Sequence, residues 1–350
     1  MRSLLRFRSL FTILIAVAIA AAPLPATAVE RYYSDWFYPA LQAWLTSWAN
    51  ESPFALFDFV VAVGILAIVI VVWRSIARAV RERRMMPAMR GVITIATILA
   101  LTYLWFQLAW GFNYARPPLE NSIGYDRGRV NADAVRALAT RAVYETNRSY
   151  AQAHAAGFPE IGDIPPALVQ AFHDVERRLG RPRATVPGRP KRTIFGPLFR
   201  ASGTSGMHAP FMLETLLNPD LTPAERPEVL AHEWAHLAGY APEDDASFVG
   251  LLAALAADPA SRYSAWLSLV FEVSAQLPRA EQQRILAPLE PGPRKDQEAI
   301  VARLKLRVEP VQRVSWQTYD RYLKAQGVRE GIQSYSRVVQ LLIGSGALDW

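Results

Sequence analysis

The residues His232-Glu233-Trp234-Ala235-His236 carry the clearest chemistry in this sequence. On a helix, residues four apart share a face, so both imidazoles can address one ion. Glu233 lies roughly 100° around the helix from His232, close enough to address a water on the metal without ligating it. Two neutral nitrogen ligands, a carboxylate base and an open coordination position make the zincin arrangement. An idle amphipathic helix could carry the same string, but the flanks here favour a positioned one. Pro227 and Glu228 stand in the first turn, which accommodates a missing N–H and favours an acid. Gly239 stands where the helix must stop and turn.

A catalytic zinc usually takes three protein ligands plus water, so one more ligand is needed. Three residues beyond Gly239, where metzincins place a third His, stands Pro242, and that subclass is excluded. A third nitrogen could come only from His154, His173 or His208. The nearest acids are Glu243, Asp244 and Asp245 at the start of the next helix, and spacing does not choose among them. For a donor to the developing oxyanion, His208, Tyr240 and Tyr263 qualify by type.

The elements that must position these residues are of two kinds. The 350 residues include no cysteine, so disulfides and thiolate zinc sites are excluded. Residues 9–29 are uncharged, follow Arg2, Arg6 and Arg8, and are read as an uncleaved first transmembrane helix. Ala26-Thr27-Ala28 offers the rival reading of a signal-peptidase site, and Pro23 and Pro25 would disturb a helix end. Residues 54–73, interrupted by Asp58, and 91–112 are two further spans. Between them stand Arg74, Arg78, Arg81, Arg83, Arg84 and Arg90 against Glu82 alone. The positive-inside rule therefore places 74–90 in the cytoplasm, and 30–53 and everything after 112 outside. Trp36, Trp44, Trp48, Trp105 and Trp110 fall near the outer interface. The net charge of +7 is thus a topology signal, and nucleic acid is not an expected partner.

From 113 the composition becomes that of a soluble domain, entered through an extended linker at Asn113–Pro118. Helices are expected over 131–155, 165–179, 243–257, 261–277, 279–288, 294–306, 309–326 and 329–343. Short strands are expected at Thr193-Ile194-Phe195 and Met207–Phe211, with 205–213 lining the substrate cleft.

The run from His232 through Gly239-Tyr240-Ala241 to Glu243-Asp244-Asp245-Ala246-Ser247-Phe248 resembles a family of bacterial membrane proteins, a domain of unknown function described as zincin-like. That family shows E-D-E-A-N-F at the last six positions, so Asp245 and Ser247 depart from it. The likeness extends to Trp110–Tyr114, Ser205–Phe211, Tyr263-Ser264 and Ser334–Val339, which is most of the chain. The spacing of Glu243 and Ala246 is also similar to the third-ligand helix of gluzincin-type peptidases, which implies Glu243 as ligand. The expectation is a mainly α chain: three transmembrane helices in 1–112, then an extracytoplasmic α+β zincin-like domain with a small sheet over 113–350. One zinc would be held by His232, His236 and Glu243, with Glu233 as general base in hydrolysis of a peptide or protein of the cell envelope. The alternatives are an amidase acting on cell-wall material, or a non-catalytic, zinc-holding envelope protein or binding module.

Overall fold

The computed structural model describes residues 2–326 and 337–349 and is mainly helical, with one three-stranded sheet. Helix α1 (Arg2–Ala21) is followed by α2 (Ala26–Glu51) across a 111° bend. Pro23 and Pro25 in the break lack the N–H groups that a continuous helix requires. The expected span 9–29 is therefore cut at Ala21, and its last residues open α2. Residues 30–53, read as a segment outside the membrane, are helical as far as Glu51, with a π-helical stretch at Val29–Phe37.

Helices α3 (Leu56–Glu82) and α4 (Met86–Ala109) are long and apolar enough to cross a bilayer, and α1 with α2 could form a third, bent crossing. No residue of α3 is buried within the protein. Its apolar run 59–73, about 22 Å long and free of charge on every face, suits lipid as its surroundings. Gly91 lets the two spans approach, since a Cβ there would meet Ser75 Oγ at 2.3 Å. The N-terminus of α3 has no cap of its own at Ala55. Glu214 supplies one from the soluble part, accepting from the N–H groups of Leu56 (3.0 Å) and Phe57 (2.8 Å). Asp58, the acid that interrupts the apolar stretch, accepts from Thr193 Oγ1 (2.5 Å) and the Ile194 N–H (2.9 Å).

After α4 the chain does not leave as an extended linker. Gly111–Ala115 is a 3-10 turn with Gly111 and Asn113 buried, and Ser34 Oγ donates to Asn113 Oδ1 (2.9 Å). The reason is core formation: Trp110 joins Val29, Tyr38 and Leu45 of α2 in one hydrophobic cluster with Trp234, Phe248 and Leu341. Each large apolar side chain so buried contributes about 1.5–3 kcal/mol. The core thus draws on residues from both sides of position 113.

The remaining helices follow in order: α5 (Ala132–Ala156), α6 (Pro166–Arg178), α7 (Gly196–Ser202), α8 (Arg226–Leu237), α9 (Glu243–Ala256), α10 (Pro259–Ser274), α11 (Arg279–Leu286), α12 (Pro291–Leu304), α13 (Glu309–Ala325) and α14 (Arg337–Ser345). Side-chain caps start two of them: Asn131 accepts from the Ala134 N–H (3.0 Å), Asp258 from the Ser261 N–H (3.0 Å). The expected helix over 329–343 is matched from Arg337 onward; its first part and Ser334–Ser336 lie outside the described residues.

Strands β1 (Pro190–Lys191), β2 (Gly206–Ala209) and β3 (Glu214–Leu217) form a sheet ordered β1-β3-β2. β1 is parallel and β2 antiparallel to β3. Thr193-Ile194-Phe195 is not a strand: its polar groups are taken by Asp58, and the pairing residues lie just before it. The expected strand at 207–211 ends at Ala209, because residues 210–213 turn back into β3 through Leu213 at φ 51°. β3 was not expected from sequence. All four of its residues are buried, so it shows no alternation of apolar and polar positions.

Candidate metal centre

Helices α8 and α9 pack face to face, and one residue sets how closely. A Cβ on Gly250 would lie 2.6 Å from the His232 nitrogen and 2.7 Å from its Cα, so only glycine allows α9 to approach the α8 backbone. Seven residues earlier, two turns back on the same face, stands Glu243. Its Oε2 lies 3.3 Å from His232 Nε2 and 3.5 Å from His236 Nε2, and the three ligand atoms all fall within 4.8 Å of one another. At zinc bond lengths of about 2.0–2.1 Å, tetrahedral ligands stand about 3.3–3.5 Å apart. The two His–Glu pairs are already at that separation. The group fits a small tetrahedral cation.

Each ligand is oriented by a second contact. His236 Nδ1 is 2.9 Å from the Tyr240 carbonyl, which fixes its proton there and leaves the Nε2 lone pair toward Glu243. His232 Nδ1 faces Ser247 Oγ at 3.2 Å. Ser247 therefore helps to orient the His232 imidazole. Tyr319 of α13 donates to Glu243 Oε1, which leaves Oε2 as the oxygen shared with both imidazoles. Burial alone would raise the Glu243 pKa, but His236 and His232 opposite reverse this and hold it well below the usual carboxylate range.

Glu233 is buried beside this group and lies against strand β2: a Cβ on Gly206 would meet its Oε1 at 2.5 Å. Burial pushes its carboxyl up to about 7, against the pull of His232 and His236 and of a hydrogen bond from the His208 main chain. Oε2 of Glu233 is buried and without a hydrogen-bond partner among the described residues. A desolvated carboxylate with one idle oxygen is suited to taking a proton.

The helix end that holds His236 is fixed from outside. Gly239 (φ 87°) closes α8, with the Tyr240 N–H on the Ala235 carbonyl (3.0 Å) and the Gly239 N–H on the His236 carbonyl (2.9 Å). A Cβ at Gly239 would also meet Asn113 Oδ1 at 2.9 Å. Four donors then meet the carbonyls of the helix end and the turn after it: Trp110 Nε1 on His236 (2.9 Å), Tyr38 Oη on Leu237 (2.7 Å), Arg181 Nη2 on Ala238 (3.1 Å) and Arg116 Nη1 on Gly239 (3.0 Å). Arg116 and Arg181 stack on the Tyr240 ring and pair with Glu30 and Asp35 of α2.

The geometry separates the expected candidates. Glu243 joins the two imidazoles, whereas Asp244 faces Arg337 (3.2 Å). Asp245 is buried, and burial followed by its neighbour Asp244 pushes its carboxyl up to about 8. His154 pairs with Asp296 (2.8 Å), which also accepts from Tyr263 Oη (2.6 Å), in a separate cluster. His173 bonds the Thr185 carbonyl. His208 lies on β2 against Trp110 (5.0 Å between ring centroids), with neither ring nitrogen partnered among the described residues. Tyr319, Gly250, Gly206, Arg116 and Arg181 were not legible as site residues. Tyr319 is 76 positions from the carboxylate it bonds, and no periodicity links them.

A family profile described as "Protein of unknown function (DUF3810)" matches residues 33–343. That description assigns no activity. No curated protein and no solved structure matches the chain.

Proposed function

We propose that this chain, which belongs to the DUF3810 family, is a membrane-anchored, zinc-dependent hydrolase of peptide bonds whose site lies outside the cytoplasm. One observation carries this reading: His232, His236 and Glu243 bring three ligand atoms within 4.8 Å of one another, with an idle buried carboxylate, Glu233, beside them. Zinc bound there would polarise a carbonyl and bring the pKa of a bound water near 7. The chain's own groups do the rest. Glu233 takes the proton as the attacking water adds to the carbonyl and returns it to the leaving nitrogen. Ser247 and the Tyr240 carbonyl keep the imidazoles turned inward. Tyr319 holds Glu243 by the oxygen that faces away from them. The test is hydrolysis of a mixed-sequence quenched-fluorescent peptide pool by the full chain in detergent. Activity should vanish with a chelator and return with about one equivalent of zinc. Hydrolysis that ignores the chelator would contradict the metal's role.

The side of the membrane follows from charge. The arginines around the α3–α4 turn lie at the opposite end of the spans from Asp58 and Trp110. With no cysteine in the chain, single cysteines can be placed without background. Ala151→Cys should react in intact cells with a membrane-impermeant maleimide, and Met85→Cys only after lysis. The reverse pattern would put the site in the cytoplasm.

A further inference from the structure

No flexible tether separates the candidate metal centre from the membrane spans. Trp110, the residue after α4, donates to the carbonyl of His236 and packs on His208. Trp105, within the last turns of α4, donates from Nε1 to the Phe211 carbonyl (3.0 Å), in the turn that follows strand β2. Phe57, at the start of α3, lies 6.3 Å from the same Phe211 ring, and Phe106 is equally close. The end of α4 thus bears on the ligand helix, and the ends of both spans bear on the turn after the strand that flanks Glu233.

Helix α2 gives the orientation. α1 packs against α4, and α2 leaves α1 at 111°, so α2 does not continue along α1 but turns across it. One side of α2 is buried through Tyr33, Tyr38, Leu45 and Ala49. The other presents Tyr32, Trp36, Trp44 and Trp48, exposed by 63%, 69%, 65% and 55%. Tyr32 with Trp36, and Trp44 with Trp48, stand four residues apart, so each pair shares a face, and the four rings make a broad exposed aromatic stripe. Indole and phenol rings so placed favour the boundary between headgroups and acyl chains.

We infer that α2 lies in the headgroup layer of the leaflet nearest the site, with this aromatic stripe toward the acyl chains. The metal centre is thereby held at the bilayer surface. Its substrate is a polypeptide embedded in or tethered to the same bilayer, cut within a few residues of the membrane. The substrate half of this inference rests on the hydrolase reading; the placement of α2 does not.

Two measurements test it with the full chain in phosphatidylcholine–phosphatidylglycerol vesicles. A spin label at Ala40→Cys sits in the stripe between Trp36 and Trp44 and leaves every tryptophan in place. It should collide with oxygen several-fold more, relative to a water-soluble nickel chelate, than a label at Ala151→Cys. Equal ratios at the two positions would overturn the placement. The second measurement uses acylated peptides with one randomised cleavable segment, placed about 4 or about 20 residues from the lipid anchor. Both are concentrated on the vesicle alike, so a rate at least about tenfold higher for the near segment reports position rather than local concentration. Equal rates, or faster cutting of the far segment, would overturn the substrate assignment. Cleavage of neither peptide, nor of the soluble pool, would fail the hydrolase reading and the substrate half with it, while the spin label still decides where α2 lies.

Discussion

Glu233→Gln should fold, bind zinc at the wild-type stoichiometry and lose about 10²–10⁴-fold in hydrolysis rate, the usual contribution of a general base. The carboxylate is outside the ligand group, and Gln matches it in size and in helix propensity. Its Oε1 side is confined by the Gly206 backbone, so the amide keeps the rotamer of the acid. Only the basic oxygen is removed. A melting temperature and zinc content equal to wild type, measured beside the lost rate, would assign the loss to chemistry. Full activity in Glu233→Gln alongside an inactive His232→Ala would make the metal structural.

Lys191→Met should lower the unfolding free energy by about 3–5 kcal/mol, because it leaves a buried carboxylate without its counter-charge. Lys191 Nζ lies 2.6 Å from Glu214 Oε1, and their side chains are 2% and 0% exposed. The same ammonium donates to the carbonyls of Ala49 and Phe54, while Glu214 caps α3. One ion pair therefore joins α2, helix α3 and the sheet beside the site. Adding Glu214→Gln to Lys191→Met removes the stranded charge and should restore part of the loss. Thermal unfolding in detergent reads both variants, and a Lys191→Met protein within about 0.5 kcal/mol of wild type would show that the pair is not structural.

How much of this was legible depended on whether the signal was local. The HExxH helix, its glycine stop and the helix at Glu243 are short-range features, and the structure places their bounds as the residues suggest. The apolar stretches identified α3 and α4, since hydropathy is a property of each segment alone. Two prolines marked the end of α1, yet nothing local said that α2 would be a helix sharing its core with α8. β3 is buried on both faces, and a four-residue strand of that kind carries no periodic signature. The choice of Glu243 over Asp244 and Asp245 could not be read from spacing. It depends on Gly250 bringing two helices into backbone contact and on Tyr319 turning the carboxylate. The four donors on the carbonyls of His236 to Gly239 come from three distant parts of the chain and are tertiary by nature.

His232, His236 and Glu243 are proposed to hold one zinc ion. Elemental analysis of the full chain, purified in detergent and dialysed after exposure to zinc, addresses it directly. The expected result is about one zinc per wild-type chain and less than about a tenth in His232→Ala and His236→Ala, with Glu233→Gln unchanged. Equal zinc in wild type and in both histidine variants, or none in any of them, would contradict it.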